Sequence, residues 1–143
     1  MPKLTRWYIK FSLVYLLAAL LIAVMLAGRT LWTLPAVLAA LSPVYFHLFM
    51  VGWVSELIIG VVFWLFPTLT SEKKRGNEAL AWAVFWMLNA GLLLRVISEP
   101  VLTSAPWAGG VLAVSAVLQW LAGMGFVYLT WGRVRPPRRR RKS

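Results

Sequence analysis

The sequence predicts an all-α membrane protein, in which four transmembrane helices form a bundle and both chain termini lie in the cytoplasm. Hydrophobic residues make up 61% of the 143 residues, whereas only 13% are charged. A water-soluble domain of this size cannot bury so much apolar surface, so the bilayer must be its solvent. The apolar residues fall into four long runs, and most of the basic residues lie outside those runs.

Each apolar run is long enough for a transmembrane helix, which needs about 20 residues. One domain, residues 1–132, is predicted to hold all four helices. The predicted spans are residues 8–28, 43–66, 79–98 and 107–132. Proline fits the first turn of a helix and interrupts its interior. Pro43 is therefore expected to begin the second helix, and Pro67 and Pro100 are expected to end the second and third.

The basic residues indicate how the chain is oriented. They cluster before the first span, between the second and third, and after the fourth: Lys3, Arg6, Lys10, Lys73, Lys74, Arg75 and seven residues between Arg133 and Lys142. Because cytoplasmic loops of membrane proteins carry an excess of Lys and Arg, both termini are predicted to be cytoplasmic. Orientation and contact with anionic membrane lipids then explain the net charge of +11, and we expect no nucleic-acid partner.

The sequence also predicts the structure of the connection after the first span, of the C-terminal tail and of the glycines in the fourth span. Residues 30–41 are mildly apolar and are expected to rest on the outer membrane surface as a short helix. Residues 133–143 form a basic cytoplasmic tail that is expected to be disordered. Four glycines of the fourth span are expected to be packing points between helices: Gly109, Gly110, Gly123 and Gly125.

A few strongly polar side chains interrupt the spans, where each is costly unless it faces protein or water. They are His47 and Glu56 in the second span, Asn89 and Arg95 in the third, and Gln119 in the fourth. With a rise of about 1.5 Å per residue, His47 and Arg95 are expected to lie level with each other near the outer surface. Glu56 and Asn89 form a second level pair near the middle of the membrane.

Glu56 and His47 are predicted to point to opposite sides of the second helix, because nine residues at about 100° each end half a turn apart. Gly52 and Gly60 lie four residues either side of Glu56 and share its face, which favours close helix packing. Glu56 itself has two interpretations. It is either a structural group that hydrogen-bonds Asn89, or a relay for protons.

His47 and Arg95 also have alternative interpretations. A neutral imidazole, alone on its helix in apolar surroundings, suits axial ligation of haem iron. The same ring could instead hydrogen-bond a neighbouring backbone carbonyl. Arg95 could bind a haem propionate, or it could pair with Glu99 one turn later or reach the outer headgroups.

Two stretches of the second span resemble a known family. His47-Leu-Phe-Met-Val-Gly-Trp53, followed by Gly60-Val-Val-Phe-Trp-Leu-Phe-Pro67, resembles the second helix of the catalytic subunit of haem–copper oxidases, especially the branch nearest nitric-oxide reductases. The predicted topology is also similar. In that family the matching histidine is an axial ligand of the low-spin haem. The resemblance therefore implies that His47 binds haem b, in the plasma (inner) membrane of a bacterium.

The chain departs from this family in its size and in its histidine content. The family's catalytic subunit has about twelve helices and several histidines, whereas this chain has one histidine, so an oxygen- or NO-reducing site is not expected and the chain alone is not expected to be an enzyme. We expect a small four-helix relative that uses haem b for electron transfer or for sensing haem or gas, with a redox partner that the sequence does not identify. The alternative is a cofactor-free membrane scaffold or accessory subunit of a respiratory complex.

One histidine per chain leaves the sixth position of the iron to be explained. A symmetric homodimer would bring two copies of His47 to one haem, and this arrangement is our first expectation. Met25, near the outer end of the first helix, could instead supply a thioether ligand. An open position would bind a gas.

Overall fold

The computed structural model describes residues 1–31, 33, 35–65 and 77–134. Over these residues the regular structure is entirely helical, which confirms the all-α part of the predicted fold class. Four segments are long and apolar enough to cross a membrane, and we number them spans 1 to 4: Lys3–Thr30, Ala36–Leu65, Glu78–Val101 and Ala108–Trp131. Pro67, the basic cluster at residues 73–75 and the tail beyond residue 134 lie outside the described residues.

Six α-helices make up these spans. They are α1 (Lys3–Ala27), α2 (Ala36–Ala39), α3 (Ser42–His47), α4 (Glu56–Leu65), α5 (Glu78–Ser98) and α6 (Ala108–Trp131). Short 3-10 turns, Gly28–Thr30 and Glu99–Val101, extend α1 and α5. The single turn of α2 lies in the segment that was expected to form a short helix between the first two spans.

Helix α1 begins five residues before its predicted start at residue 8. Pro2 precedes it in an extended conformation, and nothing in the following residues breaks a helix. Leu4 and Thr5 are buried against the rest of the bundle, while Lys3 and Arg6 are exposed. The first turn is therefore amphipathic, and its packing extends the helix beyond the apolar run that was visible in the sequence.

Span 2 is not a regular α-helix. Between α3 and α4, residues Leu48–Ser55 form a π-helix, in which backbone hydrogen bonds join residues five apart and each turn holds more residues than an α-turn. The Ser55 hydroxyl follows the same spacing and donates to the carbonyl of Met50 at 2.8 Å. The angle of 100° per residue, which underlies the predicted opposition of His47 and Glu56, does not apply here.

The bundle is assembled from two helix pairs. Span 1 packs along span 2, and α5 packs along α6. Aromatic rings join the pairs. The ring centroid of Tyr8 lies 4.9 Å from that of Phe85 in span 3, and 5.8 Å from that of Phe63 within its own pair. Phe63 in turn contacts Phe126 of span 4, at 5.7 Å. The larger cluster of buried residues thus lies toward the end of the bundle where Lys3 and Arg133 lie, which we call the basic end.

Span 4 is the most exposed of the four. Four of its buried positions recur every seven residues along one narrow stripe: Ala108, Ser115, Ala122 and Leu129. Thr130 is buried beside the last of them. A Cβ atom built at Gly125 would lie 2.7 Å from Val84, so this glycine is a packing point as expected. The expectation was wrong for Gly109, Gly110 and Gly123, because a Cβ there meets no described atom within 4 Å. These three glycines lie on the face that points away from the bundle.

Candidate functional site

His47 lies at the end of the bundle opposite the basic end, which we call the histidine end. It is the last residue of α3, and its Nδ1 lies 2.9 Å from the carbonyl oxygen of Pro43, one turn earlier. The same nitrogen lies 3.5 Å from Oε1 of Glu99. This is the hydrogen bond to a neighbouring carbonyl that the sequence offered as the alternative to haem ligation. Because it uses only Nδ1, it leaves Nε2 available and is compatible with either interpretation.

Glu99 links His47 to Arg95. The Arg95 guanidinium donates to Oε1 of Glu99 at 2.9 Å, so the local pair one turn apart is present. His47 and Arg95 therefore lie at the same level, as predicted, but they are joined through a carboxylate. The sequence had suggested Glu99 only as a partner of Arg95, not of His47. Among the described residues, Nε of Arg95 and Oε2 of Glu99 are buried and have no hydrogen-bond partner.

The histidine sits at the periphery of the bundle. Its side chain is 24% exposed, and its neighbours Phe46 and Met50 are among the exposed large hydrophobic residues. The imidazole is therefore covered on one side by its own chain and open on the other. Met25, the other suggested ligand, is half-buried near the end of α1.

A second polar centre lies inside the bundle, around Asn89. Its amide nitrogen donates to Oε1 of Glu56 at 2.5 Å and to the carbonyl of Phe85 at 2.9 Å, and its amide oxygen accepts from the Tyr15 hydroxyl at 2.6 Å. Asn89 thus joins spans 1, 2 and 3. Glu56 and Asn89 are almost completely buried, and the structure brings them together as the sequence predicted.

The environment of Glu56 is set by two glycines and two tyrosines. A Cβ built at Gly52 would lie 2.8 Å from Cβ of Tyr15, and one built at Gly60 would lie 2.7 Å from Cβ of Tyr8. Since these glycines flank Glu56 by four residues on either side, the carboxyl lies between the two tyrosines. Its Oε2 is buried without a hydrogen-bond partner in the described part of the chain.

The tyrosines were missed by sequence reasoning, although a signal was present. The polar residues of α1 recur at intervals of three and four, which places them on one helix face: Thr5, Tyr8, Ser12 and Tyr15. All four are buried. In an otherwise apolar span, such a polar face indicates contact with other polar groups in the bundle.

The predicted opposition of His47 and Glu56 is wrong, because both side chains reach span 3. Glu56 contacts Asn89, and His47 approaches Glu99. The π-helical stretch between them changes the number of residues per turn. The two groups nevertheless belong to separate sites, one at the histidine end and one in the middle of the bundle.

Among the described residues, no three His, Cys, Asp or Glu side chains group together in a way that could hold a metal ion by themselves. Axial ligation of a porphyrin iron needs only one or two protein ligands. Comparisons with protein-family models, with curated proteins and with solved structures give no match. None of these comparisons links the chain to haem–copper oxidases, so that resemblance stays an expectation from the sequence.

Proposed function

We propose that this chain is a haem b-binding integral membrane protein in which Nε2 of His47 is an axial ligand of the iron. The observation that carries the proposal is the 2.9 Å contact between Nδ1 of His47 and the carbonyl of Pro43. A neutral imidazole that donates from Nδ1 leaves the lone pair of Nε2 free for a metal, and such a second contact is typical of histidine ligands.

The position of His47 favours a haem shared between two copies of the chain. A haem held at this imidazole would be covered on one side by spans 2 and 3, next to the exposed Phe46 and Met50. A twofold axis through the iron would place a second His47 on the opposite face and would cover the rest of the ring. The alternatives are Met25 as the sixth ligand and an open position that binds a gas. The ratio of haem to chains distinguishes both of them from the shared haem.

Arg95 fits the role of a propionate partner. Its charge is already shared with Glu99, but its buried Nε has no partner among the described residues. A guanidinium presents several donors in one plane, so it can hold Glu99 and a propionate at the same time. Bound haem would supply reversible one-electron exchange, and we propose electron transfer or haem or gas sensing as its use. Catalysis by the chain alone is not proposed.

An absorbance spectrum of the purified protein tests the cofactor. We expect a Soret band, with sharp α and β bands on reduction, that is lost in His47→Ala and kept in Ser104→Ala, a substitution at an exposed turn. A ratio of one haem to two chains supports the shared site, whereas one haem per chain supports Met25 or an open position. A folded protein that stays colourless when expressed with added haem would overturn the proposal.

The second candidate is a cofactor-free membrane scaffold or accessory subunit. It is favoured by the contacts of Asn89, which hold three spans together through hydrogen bonds. In that case the polar residues of the spans stabilise the bundle and have no other role. The colourless outcome of the spectrum supports this second candidate.

A further inference from the structure

A cavity of about 180 Å³ opens into the bundle at the basic end. Four of its lining residues are charged or polar: Lys3 and Thr5 of span 1, Glu78 of span 3 and Arg133 after span 4. The other lining residues, including Phe63 of span 2, are apolar. Such a volume holds several water molecules, which the charged and polar residues can hydrogen-bond. Thr5 is the first polar residue of the buried face of α1, so the cavity leads directly to that face.

Three buried oxygens lie at successive levels from the cavity to the middle of the bundle, and we call them the column. They are Oγ1 of Thr5, the hydroxyl of Tyr8 and Oε2 of Glu56, and none has a hydrogen-bond partner within the described ranges. Thr5 and Tyr8 are one turn apart on α1, about 4.5 Å along the axis. Tyr8 also lies against Gly60, one turn of α4 from Glu56. The column thus runs from the basic end to the middle of the bundle.

The three oxygens require an explanation. A buried polar group without a partner costs about 1 to 3 kcal/mol, and buried polar atoms in native proteins are generally satisfied by protein or by water. All three are explained together if water enters from the cavity, whose wall includes charged and polar residues. Beyond Glu56, Asn89 and Tyr15 hydrogen-bond to each other, so these two groups do not need water.

We propose that Thr5, Tyr8 and Glu56 form a hydrated half-channel that carries protons between the basic end and the carboxyl of Glu56. A proton leaves hydronium in the cavity and passes along water and the two hydroxyls. It forms an O–H bond on Oε2, so that the carboxylate becomes neutral, and the reverse steps return it. The titratable groups that face Glu56 among the described residues are Tyr8 and Tyr15 of span 1, while span 3 presents the uncharged Asn89.

This half-channel is independent of the proposed haem, since it runs only from the basic end to the middle of the bundle, whereas His47 lies at the histidine end. Infrared spectroscopy tests it on the full chain in lipid nanodiscs, with or without haem. The carboxyl C=O band that disappears in Glu56→Gln identifies the group. Transfer from H₂O to D₂O then gives the rate at which the Glu56 proton exchanges, and a pH titration shows whether the group takes up a proton.

We expect the Glu56 band to change with pH and to shift in D₂O faster than the amide hydrogens of span 2 exchange. Tyr8→Phe keeps the ring contacts with Phe63 and Phe85 and removes only the hydroxyl. It should slow the exchange by about tenfold or more, because a positioned proton-transfer group contributes at least that much. Thr5→Val should slow it as well. Tyr128→Phe, on the exposed face of span 4, should leave the rate unchanged.

Three results would overturn the half-channel. The first is a Glu56 band that does not change over the accessible pH range. The second is exchange no faster than that of the surrounding amides, which would show a sealed carboxyl. The third is fast exchange that neither Tyr8→Phe nor Thr5→Val alters, which would show that protons arrive by another way. Since either substitution tests the column, failure of one variant to fold leaves the other as the test.

Discussion

Asn89 shows how a single uncharged side chain can organise a helical bundle. Its amide nitrogen donates to Oε1 of Glu56 and to the carbonyl of Phe85 on its own helix. Its amide oxygen accepts from the Tyr15 hydroxyl. Asn89→Leu has a similar volume and removes all three bonds. Because it leaves two buried partners unsatisfied, we expect a loss of roughly 1 to 3 kcal/mol in the free energy of unfolding.

Tyr15→Phe is the comparison for Asn89→Leu, since it removes only one of these bonds. Interhelical hydrogen bonds in membranes contribute about 0.6 kcal/mol on average, so the loss should be smaller. Unfolding of the two variants in mixed micelles, followed by circular dichroism, measures both values. Equal stability of Asn89→Leu and the native chain would show that Asn89 does not hold the spans together.

Arg95 and Glu99 allow the role of the arginine to be separated from that of the local ion pair. If Arg95 binds a propionate, Arg95→Leu should release haem more readily and lower its midpoint potential, because a positive charge near the haem favours the reduced form. Glu99→Gln also removes the ion pair but keeps the guanidinium, so it should retain haem. Potentiometric titration and haem content report the difference. Equal haem loss in both variants would assign the effect to the ion pair.

At the scale of the helices, substitution by alanine is expected to have opposite effects on stability at two glycines of the chain. A Cβ at Gly60 would lie 2.7 Å from Cβ of Tyr8, which cannot move without moving α1, whereas a Cβ at Gly123 meets nothing within 4 Å among the described atoms. Overpacking costs about 1 to 3 kcal/mol, and we expect this loss for Gly60→Ala. Gly123→Ala should be neutral or stabilising by up to about 1 kcal/mol, since alanine favours helix.

Thermal unfolding of the two glycine variants in detergent measures the difference. Both substitutions add the same methyl group inside a helix, so the change in intrinsic helix propensity is the same. A stability loss in Gly123→Ala as large as that in Gly60→Ala would mean that the exposed face of span 4 is packed against another chain.

The helices also show what the sequence could and could not predict. The four spans and the Glu56–Asn89 contact followed from apolar length, proline positions and depth, because these depend on residue counts along the chain. The π-helix in span 2 could not be predicted, since apolar residues occur on all sides of that stretch. No pattern marks where backbone hydrogen bonds begin to join residues five apart. For that reason the predicted opposition of His47 and Glu56 was wrong.

At the scale of the whole molecule, the orientation in the membrane remains a prediction that can be tested directly. The chain has no cysteine, so single cysteines report one position each. Ser104 lies between spans 3 and 4, Gly132 follows α6, and both are exposed. If both termini are cytoplasmic, as the basic residues indicate, a membrane-impermeant thiol reagent should label Ser104→Cys in intact cells. It should label Gly132→Cys only after the membrane is opened. The reverse pattern would place His47 on the cytoplasmic side and the cavity at Thr5 on the outside, so that the half-channel would draw its protons from the external medium.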